Sequence, residues 1–231
     1  MSHLPHHHLP TFKLPEAQPF NLEASDTMTA KQATPLVEDL KPRVGDALIV
    51  VDVQNDFLPG GRLGVPHGDE VLPVINHYIH YFVAKGLPIF FGRDWHPADH
   101  CSFRAHGGLW PVHCVAGSVG AAFATELYRA DSATIISKAT QRDTEAYSAF
   151  SGTCLAERLR QAACRRIFIG GLATDYCVLH TAKDAIAHGL VPIVLRDAVR
   201  AVNLHPGDGE QAMAEMQTSG VRFAGPEDLP P

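Results

Sequence analysis

The amino-acid sequence predicts an α/β fold, a parallel sheet covered by helices on both faces, and three observations carry that expectation. From Asp46 onward, short β-branched runs alternate with longer amphipathic segments. Right-handed crossovers return each such helix onto the sheet, which makes the sheet parallel. The chain has 231 residues, 45% of them hydrophobic, enough for one sizeable core with some excess length.

Residues 1 to 42 hold six prolines and four histidines within the first eight positions, with no sustained apolar period. Such a segment cannot supply a core, so it reads as an N-terminal extension, and 43–231 as the domain. The run His6-His7-His8 is short and has no further ligand close in sequence, so it reads as a solvated tail. Within the domain, Ala47–Val51, Leu87–Phe91, Thr134–Ser137, Arg166–Gly170, Val191–Leu195 and Val221–Ala224 read as strands. The stretches around Glu70–Lys85, Gly152–Ala163, Tyr176–His188 and Asp208–Ser219 carry apolar residues at three- and four-residue spacing and read as helices. Residues 93 to 132 are too many for a plain connection and rich in His, Gly and Trp, which marks a functional loop.

Composition excludes several classes. With 19 Lys+Arg against 25 Asp+Glu the net charge is -6, and no basic run offsets it, which disfavours nucleic-acid and anionic-membrane partners. No apolar run approaches the ~20 residues of a membrane helix, and no signal-peptide core is visible, so a cytoplasmic protein is expected. Five cysteines without CxxC spacing argue against a disulfide framework or a zinc knuckle. A homo-oligomer is compatible with all of these features.

In open parallel sheets ligands bind beyond the carboxyl ends of the strands. Four polar residues sit there: Asp52, Asp94, Lys138 and Cys177. Each alone has a structural explanation, since strand-end Asp and Lys often cap helices or pair, and a lone Cys often packs as a small hydrophobe. Together a carboxylate, an ammonium and a thiol make a nucleophilic site. A second group, Asp94 and His96 with His113 from the same loop, offers a carboxylate and imidazoles to one metal ion, leaving room for water or substrate. His100 could add a further ligand, whereas Asp99 and His106 read as solvated.

These motifs carry a resemblance. Asp52-Val53-Gln54-Asn55-Asp56-Phe57, Asp94-Trp95-His96-Pro97, Trp110-Pro111-Val112-His113-Cys114-Val115, Lys138, and Gly171-Leu172-Ala173-Thr174-Asp175-Tyr176-Cys177-Val178 resemble the signatures of the nicotinamidase/pyrazinamidase group of isochorismatase-like cysteine hydrolases. The similarity spans roughly residues 46 to 225. It implies a three-layer α/β/α fold with a six-stranded parallel sheet of order 3-2-1-4-5-6, and an Asp52-Lys138-Cys177 triad. It also implies a divalent ion, Zn, Fe or Mn, on Asp94, His96 and His113, with His100 matching an additional ligand of some members. Ring-packing positions fall on Phe57, Trp110 and Tyr147, and a cis bond on Leu172-Ala173. The implied activity is hydrolysis of nicotinamide to nicotinic acid and ammonia through a Cys thioester, with the metal orienting the pyridine ring and pyrazinamide as a surrogate.

In that scheme Lys138 and the helix start lower the thiol pKa from ~8.5. Asp52 moves the proton, and the backbone N–H groups of Ala173 and Cys177 hold the oxyanion. Thr174 and Asp175 are expected to cap the next helix, and Asp56 and Asp197 to be structural. Departures are Ala139 for Gly, Ser118 for Thr, and His67 for a small turn residue. In the implied strand order Lys138 also starts two strands away from Asp52.

Overall fold

The computed structural model describes residues 40–228. Six strands, β1 (Asp46–Val51), β2 (Ile89–Asp94), β3 (Thr134–Lys138), β4 (Arg166–Leu172), β5 (Val191–Arg200) and β6 (Arg222–Ala224), form one sheet. Its order is β3-β2-β1-β4-β5-β6, every pairing parallel, as the resemblance implied. Four helices, α1 (Val71–Ala84), α2 (Leu155–Gln161), α3 (Leu179–Ala187) and α4 (Asp208–Thr218), make the outer layers.

Side-chain alternation along the strands divides the core in two. On one face Leu48, Val50, Phe91, Phe168 and Ile193 pack against Val71, Ile75, Ile79 and Phe82 of α1. On the other, Ala47, Ile49, Val51, Ile167 and Val194 meet Leu155 and Leu159 of α2, Ala182 of α3 and Met216 of α4. The rings of Phe82 and Phe168, edge to face at 5.5 Å, pin α1 to β4. Burying each such ring stabilises the fold by roughly 1.5–3 kcal/mol.

Several boundaries differ from the sequence expectation, for physical reasons. β2 continues to Asp94 because that residue pairs with Lys138 of β3, so both lie in register at the sheet edge. β5 runs ten residues, to Arg200, through the polar Arg196 and Asp197 where the apolar run stops. Before α3 the chain makes a π-helical turn over Thr174–Val178, placing Cys177 inside this wide turn. The segment between β2 and β3 holds one 3-10 turn at Arg104–His106 and is tied to the frame by isolated bridges such as His96 with Val115.

The start of the domain lies earlier than residue 43. Leu40 packs on the core, Pro42 is buried, and the Lys41 carbonyl accepts from Arg166 Nη2 at 3.0 Å. The expectations for residues 1–39, the histidine run included, lie outside the described residues. Among the described residues no helix is long and apolar enough to cross a membrane.

Candidate active site

Asp52 is the first residue beyond β1, fully buried, with a left-handed φ of +51° that turns its carboxylate across the strand ends. Its backbone N–H donates to the Gly92 carbonyl at 3.1 Å and its own carbonyl accepts from Gln54 N at 2.9 Å. Lys138 ends β3 at 1% exposure. Its Nζ lies 2.9 Å from Asp52 Oδ2 and 3.5 Å from Cys177 Sγ, and it pairs closely with Asp94 Oδ1. The long lysine arm thus spans the distance that the strand order opens between β3 and β1.

β4 delivers Cys177 through a bend that only glycine allows. Gly171 has φ +122°, and a Cβ there would lie 2.0 Å from the Val51 carbonyl oxygen. The Leu172-Ala173 bond that follows is cis, as expected. The turn closes by Val178 N donating to the Ala173 carbonyl at 3.0 Å. Asp175 does not cap the next helix. Its carboxylate accepts from Val202 N at 2.9 Å and Asn203 N at 2.8 Å, tying the turn to the loop after β5, and no side chain caps α3. The long-range loop offered this carboxylate two converging N–H donors, which sequence proximity could not reveal.

Burial governs the electrostatics. It pushes the Asp52 carboxyl up to about 6, with Asp94 adding to the rise and Lys138 opposing it. Burial alone would also raise Asp94, but Lys138 and His96 outweigh it and hold that carboxyl well below the usual range. Burial would lower Lys138, yet the two carboxylates keep it a firm ammonium. For Cys177 the expected depression is reversed: burial, then the neighbouring carboxylates, raise the thiol well above its ordinary value despite Lys138. One cation shared among two anions has less to offer a thiolate, which favours the protonated sulfur.

The carboxylate of Asp94 also faces a second group. Its Oδ2 lies 3.5 Å from His96 Nε2 and 3.9 Å from His113 Nε2, and the two Nε2 atoms are 3.3 Å apart. His96 Nδ1 is paired with the Ala139 carbonyl at 3.2 Å and His113 Nδ1 with the Pro111 carbonyl at 2.8 Å. A carbonyl only accepts, so each Nδ1 carries a proton, and the two Nε2 atoms point into the same space, where they could serve as ligand atoms. Two imidazole nitrogens and a carboxylate converging in a buried space fit a metal ion. Among the described residues, this set and the group Asp52, Asp94 and Cys177 bring ligand atoms within 4.8 Å of one another.

His100 does not join that set. Its ring stacks on His96 at 4.3 Å, with Nδ1 on Ser102 Oγ at 2.8 Å and Nε2 on the Thr144 carbonyl at 3.1 Å. Asp99 instead pairs with Arg142 on the surface, and His106 is exposed. Asp56 accepts from Cys114 N at 2.7 Å and Asp197 from the Tyr78 hydroxyl at 3.0 Å, so both serve the scaffold. Two of the departures, Ala139 at φ +50° and His67 at φ +56°, sit in the left-handed region where glycine would be freest.

A pocket of about 410 Å³, counted to its open mouth, joins the two groups. Phe57, Trp110 and Tyr147 line it, as expected, with Asp94, His96, His113, Ala173 and Cys177 at its base. Leu63, Glu145, Tyr176 and Val202 complete the wall and were not anticipated. Trp110 Nε1 donates to the Tyr147 hydroxyl at 3.0 Å, and Tyr176 meets Trp110 edge on at 4.9 Å. Gln54 was also missed. Its side chain donates to the Asp94 carbonyl and accepts from Asp94 N, both at 2.8 Å, fixing the carboxylate shared by both groups.

A parallel sheet of this order carries a buried Asp52-Lys138-Cys177 cluster at its carboxyl edge, and the Isochorismatase domain matches residues 46–227, which defines a hydrolase of that class. The chain therefore belongs to the isochorismatase family. Within it, the chain is similar to the nicotinamidase of Escherichia coli, 36% identical over 76% of this chain and 92% of that one. The nicotinamidase of Acinetobacter baylyi is 38% identical over 76% of this chain and 90% of its own. The crystal structure of Pyrococcus horikoshii pyrazinamidase in complex with zinc superposes with a TM-score of 0.76 at 49% identity, covering 78% of this chain and 99% of that one.

Proposed function

We propose that this protein is an amidohydrolase converting nicotinamide and water to nicotinic acid and ammonia, with pyrazinamide as a surrogate, as a step in NAD salvage. The observation that carries the reading is the double use of Asp94. One oxygen meets Lys138 beside the thiol, while the other faces the two Nε2 atoms, so a nucleophile and a ligand set open into one aromatic pocket. An aromatic carboxamide with a ring nitrogen matches that spacing of functions.

Asp94, His96 and His113 would hold a divalent ion, of the Zn, Fe or Mn kind. Bound there, the ion supplies a Lewis-acid contact for a ring nitrogen. The remaining chemistry belongs to the chain. Asp52, with its carboxyl at about 6, is ionised at neutral pH and takes the Cys177 thiol proton as sulfur attacks the carboxamide carbon. Lys138 stays protonated and steadies the negative charge that passes between sulfur and Asp52. The N–H groups of Ala173 and Cys177 would receive the tetrahedral oxyanion, at typically ~3 kcal/mol per donor. Asp52 then returns the proton to the departing nitrogen, ammonia leaves, and a thioester remains. Water, deprotonated by Asp52, attacks the thioester carbonyl, and the acid leaves as the sulfur recovers a proton. Phe57, Trp110 and Tyr147 would sandwich the ring. The five free cysteines accord with a reducing, cytoplasmic setting.

The test is ammonia release from nicotinamide, pyrazinamide, benzamide and an N-carbamoyl amino acid, with metal analysis of the same sample. Turnover of the first two with near-inert benzamide is expected, because a site built on a polar partner rejects an analogue lacking it. Equal handling of benzamide, or preference for the N-carbamoyl compound, would overturn the reading in favour of a ureido amidase.

A further inference from the structure

Glu145 lines the pocket but belongs to neither the triad nor the ligand set. It is exposed at the pocket mouth, on the loop between β3 and α2, with Oε1 accepting from Ala146 N at 3.0 Å. The next residue's carbonyl lies 3.4 Å from Lys138 Nζ, so this carboxylate is anchored one residue from the triad. On its other side the Thr144 carbonyl accepts from His100 Nε2 at 3.1 Å, so the loop that carries Glu145 is held at both neighbouring residues.

The other acidic groups of the pocket are differently placed. Asp94 is buried and paired with Lys138, and Cys177 is buried at the other side of the same ammonium. Among the described residues lining the pocket, Glu145 is therefore the anion that faces the entrance. A neutral amide passes it without electrostatic cost, whereas a carboxylate of the same shape is repelled and ammonium is attracted.

We propose that Glu145 is a charge-selecting residue at the pocket mouth, which favours neutral carboxamides over carboxylates and so limits retention of the acid product. This rests on the amide-hydrolysis reading above, and its test is built to fail separately. Nicotinate and the neutral 3-acetylpyridine are titrated calorimetrically against metal-loaded wild type and Glu145→Gln, alongside KM for nicotinamide. Glutamine keeps the shape and the acceptor but not the charge. The expected result is nicotinate binding about two- to fivefold tighter in the variant at low salt, the size of a solvent-screened charge effect. The gap should close at high ionic strength, while 3-acetylpyridine affinity and KM for nicotinamide stay within error. Unchanged nicotinate affinity overturns the proposal. A parallel shift of all three ligands also overturns it, because that marks a structural or hydrogen-bonding role. If wild type releases no ammonia from nicotinamide, the activity reading fails instead, and the two titrations still decide the role of Glu145.

Discussion

At the scale of single residues, the proton on Cys177 decides how the site works. A buried thiol flanked by Asp52 and Asp94 gains more from keeping its proton than Lys138 offers a thiolate, so in the proposed mechanism attack is coupled to proton transfer to Asp52. Cys177→Ala deletes the nucleophile and little volume. It should lower turnover by more than ~10³-fold while nicotinamide affinity, read by calorimetry, stays within a few-fold. Exposed Cys154 should be dispensable. The pH dependence follows from Asp52. Below about 6 its carboxyl is protonated and cannot accept from sulfur, so kcat/KM should fall about tenfold per pH unit on the acid side. An ion on Asp94 cancels the part of the rise that Asp94 contributes, which sets that limb at or below about 6. A limb that instead followed thiol ionisation, tracked by iodoacetamide labelling of Cys177, would mean that a preformed thiolate does the work. The identities of Asp52, Asp94, Lys138 and Cys177 were legible because each falls at, or in the turn just beyond, the carboxyl end of a strand. Their charge states were not, since they depend on how completely the four side chains exclude water together.

At the scale of elements, the legible parts were those with continuous apolar patterning, the first strand above all. The sequence ends β5 early because Arg196 and Asp197 interrupt the apolar run, whereas the ladder to β4 shifts register there and resumes at Val199 and Arg200. Tyr176, Gln54 and the Asp175 link to Val202 were hidden for another reason. Each acts across a large sequence separation, and no periodicity encodes such a contact. The bend at Gly171 is the element on which the site depends most heavily. Gly171→Ala would force a Cβ to 2.0 Å from the Val51 carbonyl at a φ that L residues rarely adopt, so either β1 and β4 separate or the Cys177 turn moves. The variant should lose several kcal/mol of stability, with a melting temperature lower by roughly 10 °C or more. Normal stability with normal activity would mean that the β1–β4 edge adapts far more readily than its packing suggests.

At the scale of the whole molecule, the carboxyl edge of the sheet carries the chemistry and the opposite edge carries the anchor. There Arg166 and Asp46 form a buried pair, Nε to Oδ1 at 2.8 Å and Nη2 to Oδ2 at 2.6 Å, which joins the first residues of β4 and β1. The Lys41 carbonyl adds an acceptor for the same guanidinium, Leu40 covers the core beside it, and Arg43 N donates to Asp46 Oδ2 at 2.8 Å. These contacts divide the chain's first part into two stretches with different expected worth. Residues 1–38, rich in proline and lacking an apolar period, should be removable with melting temperature and ammonia release nearly unchanged. Extending the deletion through Pro42 takes away a packed leucine, a buried proline and an acceptor for a buried charge. It should cost about 2–4 kcal/mol, or roughly 4–16 °C in melting temperature for a domain of this size. The site lies at the other end of the strands, so turnover per folded molecule should stay constant in both deletions. Thermal melts and active-site titration of the two proteins separate these effects. Equal melting temperatures would show that the anchor adds little to the fold, and a fall in turnover per folded molecule would show that the two ends of the sheet are coupled.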